Sequence, residues 1–452
     1  MQAFEIRAGR ALLPEGWARD VRVRVGADGR VASVETGVPG DGDRVLLPAL
    51  SNLHSHAFQR AMAGLAGWRA AGRDSFWSWR ALMYRFLDRM TPEDVEAVSR
   101  FAFVEMMESG FAALAEFHYL HHQPGGAPYA RLGEMAERVA AAAADAQIGL
   151  TLLPVLYCWS GVERGALEGG QRRFGCDLDR FGALMDASRS ALGGLGPDAR
   201  LGFAPHSLRA VDPESLAAVA AAYRDMPLHI HAAEQPQEVA AVEAAFGARP
   251  VAWLLENAGV DARWCLIHCT HMTAAETEGL ARSGAVAGLC PVTEADLGDG
   301  IFNGVAYAAA GGRFGVGSDS NVLIGAAAEL RALEYSQRLR EGGRNMMARE
   351  EGSVGEALYA AALAGGAQAL GRESGAIRAG AWADLVALDG AAPALEGLAD
   401  AQILDGWIFG EGRGLVRDVW AAGRHAVRDG VHVARARAEA GWRAARARLL
   451  AP

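Results

Sequence analysis

Two histidines separated by one residue, His54 and His56, follow an apolar segment and have the spacing of a paired metal ligand. Alternate residues of a strand point to the same side, so the two imidazoles would share one face. Other apolar segments also end in residues that ligate metals or move protons: His229, His231, Glu234, His268, His271 and Asp319. Three histidines and one carboxylate suit zinc with one position left open for water, so the sequence predicts a metal centre.

The elements that must position these residues are short apolar runs that alternate with longer helical segments. The runs are residues 45–47, 112–116, 150–156, 201–204, 228–232, 265–268, 286–290 and 314–317. Eight such units predict an α/β fold of the (β/α)8 TIM-barrel type, in which the carboxyl ends of all strands meet at one mouth. A doubly wound open sheet is disfavoured because no G-x-G-x-x-G motif follows any of these strands.

Short alternating segments near both ends of the chain predict a second, small β-domain. Residues 21–25 and 31–34 flank a turn at Gly29, and strand-like segments recur at 383–388, 416–420 and 425–433. We therefore expect a β-sandwich built from both termini. The expected boundaries are 1–46 and 376–433 for the sandwich, 47–375 for the barrel and 434–452 for a C-terminal helix.

The composition is that of a globular protein, with 51% hydrophobic and 22% charged residues among 452. No run approaches the roughly 18 apolar residues that a membrane helix needs, and charges within residues 1–10 argue against a signal peptide, so we expect a cytoplasmic protein. The net charge of −10 disfavours nucleic-acid binding. The five cysteines contain no C-x-x-C pair, which disfavours a zinc finger. All 44 basic residues are arginine, which excludes chemistry that depends on lysine.

The pattern of ligands resembles the amidohydrolase superfamily over nearly the whole chain, including residues 380–389 of the terminal β-domain. Members with two metals bridge them with a carboxylated lysine on strand 4. Here strand 4 ends in His206 and Arg209, so the resemblance is to the mononuclear deaminase branch. It implies one Zn²⁺ per chain, with Fe²⁺ as the alternative, held by His54, His56, His231 and Asp319.

Within that branch, five segments resemble formimidoylglutamate deiminases: residues 53–64, 115–122, 231–235, 290–302 and 317–321. This resemblance implies a homodimer that hydrolyses N-formimino-L-glutamate, a small dicarboxylate amidine, in histidine degradation. Glu234 would relay protons, His268 would stabilise the tetrahedral intermediate, and Asp319 would also accept a proton. The residues implied in substrate binding are Gln59, Tyr119, His206 and Arg209, with Arg80 as either a second carboxylate ligand or a surface residue.

Several alternatives stay open at this point. A related deaminase acting on guanine or an adenosine derivative would need a flat aromatic pocket, which Arg209 disfavours. A non-catalytic barrel should have lost a ligand or Glu234, which could also be a structural acceptor. His229 shares a face with His231 and could replace it as the ligand. We expect His118, His121 and His122 to line the mouth, and Trp77 and Trp79 to pack in the core or a loop.

Overall fold

The computed structural model describes residues 1–67, 76–348 and 351–451. The described strands are β1 (Phe4–Leu13), β2 (Gly16–Val25), β3 (Val31–Glu35), β4 (Arg44–Pro48), β5 (Leu50–Ser55), β6 (Phe111–His118), β7 (Gly149–Leu156), β8 (Arg200–Leu201), β9 (Ala204–Pro205), β10 (Leu228–Ala232), β11 (Trp264–His268), β12 (Val286–Leu289), β13 (Arg313–Val316), β14 (Leu385–Asp389), β15 (Val416–Ala421), β16 (Arg424–Arg428) and β17 (Val431–His432).

The described helices surround these strands or connect them. They are α1 (Phe76–Leu87), α2 (Pro92–Glu108), α3 (Glu134–Ala146), α4 (Leu178–Leu192), α5 (Pro213–Ala222), α6 (Pro236–Phe246), α7 (Pro250–Asn257), α8 (Ala274–Ser283), α9 (Pro291–Leu297), α10 (Gly304–Ala309), α11 (Ala326–Glu341), α12 (Val354–Ala369), α13 (Ile403–Asp405) and α14 (Arg435–Leu450). Among the described helices, none has the length and apolarity needed to cross a bilayer.

The strands β5 to β13 form the barrel. β5, β6, β7 and β8 pair in parallel, β9 adds to β7, and β10 to β13 form a second parallel set. Bridges between Phe203 and Leu228 and between Ser55 and Asp319 join the two sets into a ring. Every residue of β5, β6 and β7 is buried, as expected for parallel strands covered by helices. The predicted TIM-like fold class is confirmed.

Both chain ends contribute to one eight-stranded sheet, in the order β17-β16-β15-β14-β4-β1-β2-β3. One detail of the strand prediction is wrong, because residues 45–47 belong to this sheet as β4 and pair with β14. The first barrel strand is instead Leu50–Ser55. Pro48, which lacks a backbone donor, is the last residue of β4. Only Ala49 separates β4 from β5, and residues 45–55 are all buried, so the pattern of the sequence alone could not separate the two strands.

A buried arginine links the terminal sheet to the end of the barrel opposite its mouth. The Arg372 guanidinium, 1% exposed, lies 2.6 Å from Asp384, which precedes β14, and 3.0 Å from Asp198, which precedes β8. Asp198 is also bound by Arg424 of β16 at 2.7 Å. Because both carboxylates and the guanidinium are paired, burial of these charges is compensated. This cluster therefore fixes the sheet against the barrel.

Candidate metal centre and active site

Four ligand-type side chains from three strand ends meet at the barrel mouth. His54 lies within β5, His56 follows it, His231 lies in β10, and Asp319 follows β13. His54 Nε2 is 3.2 Å from His231 Nε2, and Asp319 Oδ1 is 3.4 Å from both His54 Nε2 and His56 Nε2. Two zinc ligands at bonds of about 2.05 Å and a tetrahedral angle lie about 3.3 Å apart. The separations in this cluster therefore fit one shared ion.

The hydrogen bonds of two of these histidines fix which ring nitrogen faces the cluster. His56 Nδ1 lies 3.1 Å from the carbonyl oxygen of Phe117, and His231 Nδ1 lies 3.0 Å from that of His206. A carbonyl only accepts, so each Nδ1 must donate its proton and each Nε2 must carry a lone pair. Such partners orient metal-binding histidines in proteins generally. The donor set therefore fits a divalent metal.

The ionisation states agree with this interpretation. Burial lowers the pKa of His54 to about 3 and also lowers the pKa values of His56 and His231, which keeps the imidazoles neutral. Burial acts to raise the pKa of Asp319, but its hydrogen bond with His54 and the nearby imidazoles outweigh this and hold the pKa well below its usual value. Neutral imidazoles and an ionised carboxylate are the forms that bind metal.

The backbone around the site is strained and held by buried polar contacts. Ala233, His268, Cys269, Asp319 and Asn321 all adopt positive φ angles, which are uncommon for residues other than glycine and cluster at functional sites. The Asn321 side-chain amide donates to the carbonyl oxygens of His56 and Asp319 at 3.1 and 2.9 Å. This amide therefore joins the two strand ends that carry three of the four ligand-type residues.

Glycine at position 317 allows the same two strand ends to approach each other. A Cβ atom at Gly317 would lie 2.7 Å from both the backbone nitrogen and the carbonyl oxygen of His54. Any larger residue would push the end of β13 away from β5. Since Asp319 lies two residues beyond, a side chain at position 317 would also move the carboxylate away from the histidines.

Glu234 and His268 lie beside the histidine cluster. His268 Nε2 is 3.7 Å from Glu234 Oε1 and 3.9 Å from Asp319 Oδ2. Burial favours the neutral form of His268, but the carboxylates of Glu234, Glu294 and Asp319 outweigh it and raise the pKa to about 10. Burial raises the pKa of Glu234 despite the nearby cations His268 and Arg209. A carboxyl group with a raised pKa next to a cationic imidazole is suited to proton transfer.

The five residues expected to bind substrate line one cavity together with His56, His231, Glu234, His268 and Asp319: they are Gln59, Arg80, Tyr119, His206 and Arg209. The Gln59 amide donates to the Tyr119 hydroxyl at 2.7 Å, and Arg80 donates to the Tyr157 hydroxyl at 3.4 Å. Arg209 Nη2 lies 3.9 Å from Glu234 Oε2, and its buried Nε atom has no hydrogen-bond partner among the described residues. Two guanidinium groups therefore lie in the wall of the same cavity.

Six further residues line the cavity although the sequence did not predict them at the site: Trp79, Met83, Tyr84, Tyr157, Phe174 and Leu297. The expectation that Trp79 only packs is wrong, whereas the side chain of Trp77 lies outside the described part of the structure. Trp79, Met83 and Tyr84 share one face of α1 at helical spacing. That spacing was visible in the sequence, but only the structure shows that this face meets the barrel mouth.

His121, His122 and His229 each contact a backbone carbonyl group. His121 Nε2 lies 3.0 Å from Val155 O, and His122 Nε2 lies 2.9 Å from Gly175 O. Together with His118 they are absent from the cavity lining, so the expectation that they line the mouth is wrong. His229 Nε2 is 2.8 Å from the carbonyl oxygen of Ala369, at the C-terminus of α12. His231, and not His229, therefore lies in the cluster.

Comparisons with known proteins agree with this geometry. Residues 45–425 match the amidohydrolase family, and residues 4–45 match the N-terminal domain of formimidoylglutamate deiminase HutF. A formimidoylglutamate deiminase from Pseudomonas aeruginosa is 50% identical over 433 residues, which cover 94% of this chain and 95% of that relative.

Solved structures share the fold. A crystal structure of an amidohydrolase from Brucella melitensis is 52% identical, with a TM-score of 0.94 over 99% of this chain and 100% of that chain. An adenosine deaminase from Xanthomonas campestris with bound zinc is 23% identical, with a TM-score of 0.81 over 98% of each chain.

Proposed function

Because the chain belongs to the amidohydrolase family, and within it to the formimidoylglutamate deiminases, we propose that it hydrolyses N-formimino-L-glutamate to N-formyl-L-glutamate and ammonia. The chain is a hydrolase that acts on C–N bonds. The observation that supports this substrate is the pair of arginines, Arg80 and Arg209, in the cavity that adjoins the His54, His56, His231 and Asp319 cluster. Two cations in one wall match a substrate with two carboxylates.

The proposed metal is one Zn²⁺ per chain, with Fe²⁺ as the alternative, held by His54, His56, His231 and Asp319. Zinc would supply a Lewis acid that makes water reactive near neutral pH. The chain has no lysine that could bridge a second ion. The second oxygen of Asp319 faces His268 and can accept a proton while the first faces the histidines.

The proton transfers are assigned to Glu234 and His268. Glu234 Oε1 lies at the cavity wall within reach of His268 Nε2, and its raised pKa lets it bind a proton and pass it to the departing nitrogen. His268, held cationic by the surrounding carboxylates, would stabilise the tetrahedral intermediate through negative charge on the atoms bonded to the reacting carbon. Burial of both side chains excludes water and strengthens these interactions.

Recognition of the substrate is assigned to the cavity wall. A guanidinium binds a carboxylate through two parallel hydrogen bonds, and within the described part of the chain the Arg209 Nε atom has no partner and could form one of them. Arg80 would bind the other carboxylate. Gln59, Tyr119 and His206 would supply neutral polar contacts to the rest of the substrate.

The direct test of this function is ammonia release from N-formimino-L-glutamate, guanine and S-adenosylhomocysteine, assayed in parallel with purified enzyme. We expect turnover of the dicarboxylate amidine and none of the two purines. Turnover of a purine without turnover of formiminoglutamate would refute the substrate assignment while leaving the family intact.

The removal of Arg209 is expected to weaken catalysis on the dicarboxylate selectively. An uncompensated buried charge typically costs about 2–5 kcal/mol, which corresponds to a loss of about 30-fold to several thousandfold in kcat/KM. Arg209→Met should show this loss and retain its metal. The matched control is Arg164→Met, because Arg164 is 47% exposed and pairs with Glu214 outside the cavity.

A substrate amidated at the contacted carboxylate sharpens this measurement. Wild-type enzyme should turn it over poorly, and Arg209→Met should lose little more. If Arg209→Met keeps full activity on formiminoglutamate and Arg80→Met does not, Arg80 is the carboxylate ligand.

We also propose that the enzyme is a cytoplasmic homodimer, as the resemblance implies. Leu323, Tyr335 and Leu339, in α11 or just before it, are exposed by 54%, 41% and 85%, which is unusual for large apolar side chains on a single helix. Light scattering coupled to size-exclusion chromatography should give twice the chain mass of 47.6 kDa. A mass of one chain at micromolar concentration would contradict the dimer.

A further inference from the structure

The segment that follows β12, residues 290–302, contributes Leu297 to the cavity lining. Its polar side chains contact three other strand ends at the mouth. Glu294 of α9 contacts His268 at the end of β11. Thr293 Oγ1 lies 3.0 Å from Ser320 Oγ and 3.3 Å from the Ser318 carbonyl oxygen, on both sides of Asp319. Asp299 accepts a hydrogen bond from the side chain of Gln235, next to Glu234. The segment therefore supports the groups that carry the proposed chemistry.

The contact between Glu294 and His268 is the most constrained of these. Glu294 Oε1 is 3.2 Å from His268 Nδ1, and the same oxygen accepts the Cys290 backbone N–H at 2.9 Å. Both side chains are buried, with exposures of 4% for Glu294 and 1% for His268. The backbone donor holds the carboxylate in one rotamer, so the imidazole meets an acceptor whose position is already fixed.

The orientation of the His268 ring depends on such a partner. His268 is the last residue of β11, and its φ angle of +72° takes it out of strand geometry. The direction of the ring is therefore not set by the alternation of side chains along the strand. With Nδ1 turned to Glu294, Nε2 faces Glu234 Oε1 at 3.7 Å and Asp319 Oδ2 at 3.9 Å. Without Glu294, the described side chains leave Nδ1 with no acceptor.

We propose that Glu294 is a positioning residue for the hydrolysis: it binds His268 Nδ1–H and so directs Nε2 toward Glu234 and Asp319 in the cavity. This inference rests on the proposed function, because it assigns His268 a part in the reaction. It predicts a fall in kcat with little change in substrate affinity, since Glu294 does not line the cavity.

The test compares Glu294→Ala, Glu294→Gln and a matched control, Asp296→Asn, which removes an exposed carboxylate from the same helix. A displacement of about 1 Å at a reacting group can cost about 100-fold. We expect kcat to fall by about that factor in Glu294→Ala, with KM within about threefold and metal content unchanged. Glu294→Gln keeps an oxygen that can accept from Nδ1–H, so it should recover part of the lost activity. Asp296→Asn should behave as wild type.

A second substitution separates positioning from general disruption of the loop. In a His268→Asn background the ring is gone, so Glu294→Ala should lower kcat by no more than about twofold further. Full additivity of the two losses would overturn the proposal. So would unchanged kcat in Glu294→Ala.

Two further outcomes have distinct meanings. His268, Cys290 and Glu294 offer ligand atoms within 4.8 Å of one another, so a second bound metal that is lost in Glu294→Gln would show that Glu294 is a metal ligand and not a positioning residue.

If wild-type enzyme does not hydrolyse formiminoglutamate, the proposed function is refuted, and ¹⁵N NMR of labelled histidine then tests the contact between Glu294 and His268 independently of activity. A His268 Nδ1–H signal that is unaffected by Glu294→Ala would refute the hydrogen bond.

Discussion

Replacement of His54 with alanine is expected to remove both the metal and the activity. His54 Nε2 lies within 3.4 Å of His231 Nε2 and Asp319 Oδ1, so this imidazole connects the two sides of the cluster. Alanine offers no ligand atom, and the remaining groups would leave the ion with one bond fewer in a buried site. We expect most of the metal to be absent by elemental analysis and activity to be below detection.

The matched control is His229→Ala. His229 is also fully buried in a barrel strand, but it contacts the Ala369 carbonyl oxygen and not the cluster. This variant should lose some stability through the cavity it creates and keep one equivalent of metal. A metal-free but active His54→Ala enzyme would refute the ligand set, and two equivalents in wild type would refute a mononuclear centre.

Most of this centre could be predicted from the sequence because barrel geometry is regular. Parallel strands that end in histidine or aspartate meet at one mouth, so His54, His56, Asp319 and one histidine of the pair His229 and His231 could be grouped without coordinates, and the family resemblance implied His231. The alternation of residues along a strand could not show how far each residue lies from the mouth. His229 and His231 share a face of β10, and only the pairing of His231 with Ser207 and of Leu228 with Phe203 shows which lies at the mouth.

The wall of the cavity was less predictable for a different reason. Trp79, Met83 and Tyr84 reach it from α1, a helix that follows β5 before the regular α2. The direction of such an inserted helix depends on tertiary packing, for example on the Arg173 guanidinium, which is buried and donates to the carbonyl oxygens of Leu87 and Met90. No local pattern in the sequence encodes these contacts.

The proposed role of Glu294 could not be predicted from the sequence for the same reason, because it depends on a tertiary contact. In the sequence it follows the apolar run 286–290, and nothing in its spacing from Cys290 indicates a contact with His268. Its contact with His268 spans 26 residues and depends on the neighbouring positions of β11 and β12. Side chains that act through another residue are therefore harder to predict than those that meet the substrate.

Glu234→Gln is expected to lower kcat by about 10²–10⁴-fold while the metal stays bound, because general acid–base catalysis contributes about that much. The amide has nearly the shape of the carboxyl group, and Glu234 is not among the four proposed ligands. Its backbone N–H would still donate to Glu238 at 2.9 Å. Only the ability to carry a proton near His268 Nε2 is lost.

Steady-state kinetics and elemental analysis on the same preparation measure both parts of this prediction. The matched control is Glu243→Gln, an identical substitution on the exposed face of α6, the helix that follows Glu234. It should leave kcat and metal content unchanged. If Glu234→Gln keeps kcat within about threefold of wild type, which is about 0.7 kcal/mol in barrier height, the carboxyl group is only a hydrogen-bond acceptor, and another group must protonate the departing nitrogen. Among the described residues at the cavity, His268 would then be the candidate, since its hydrogen bond with Glu294 and the nearby Asp319 carboxylate still act to raise its pKa in this variant.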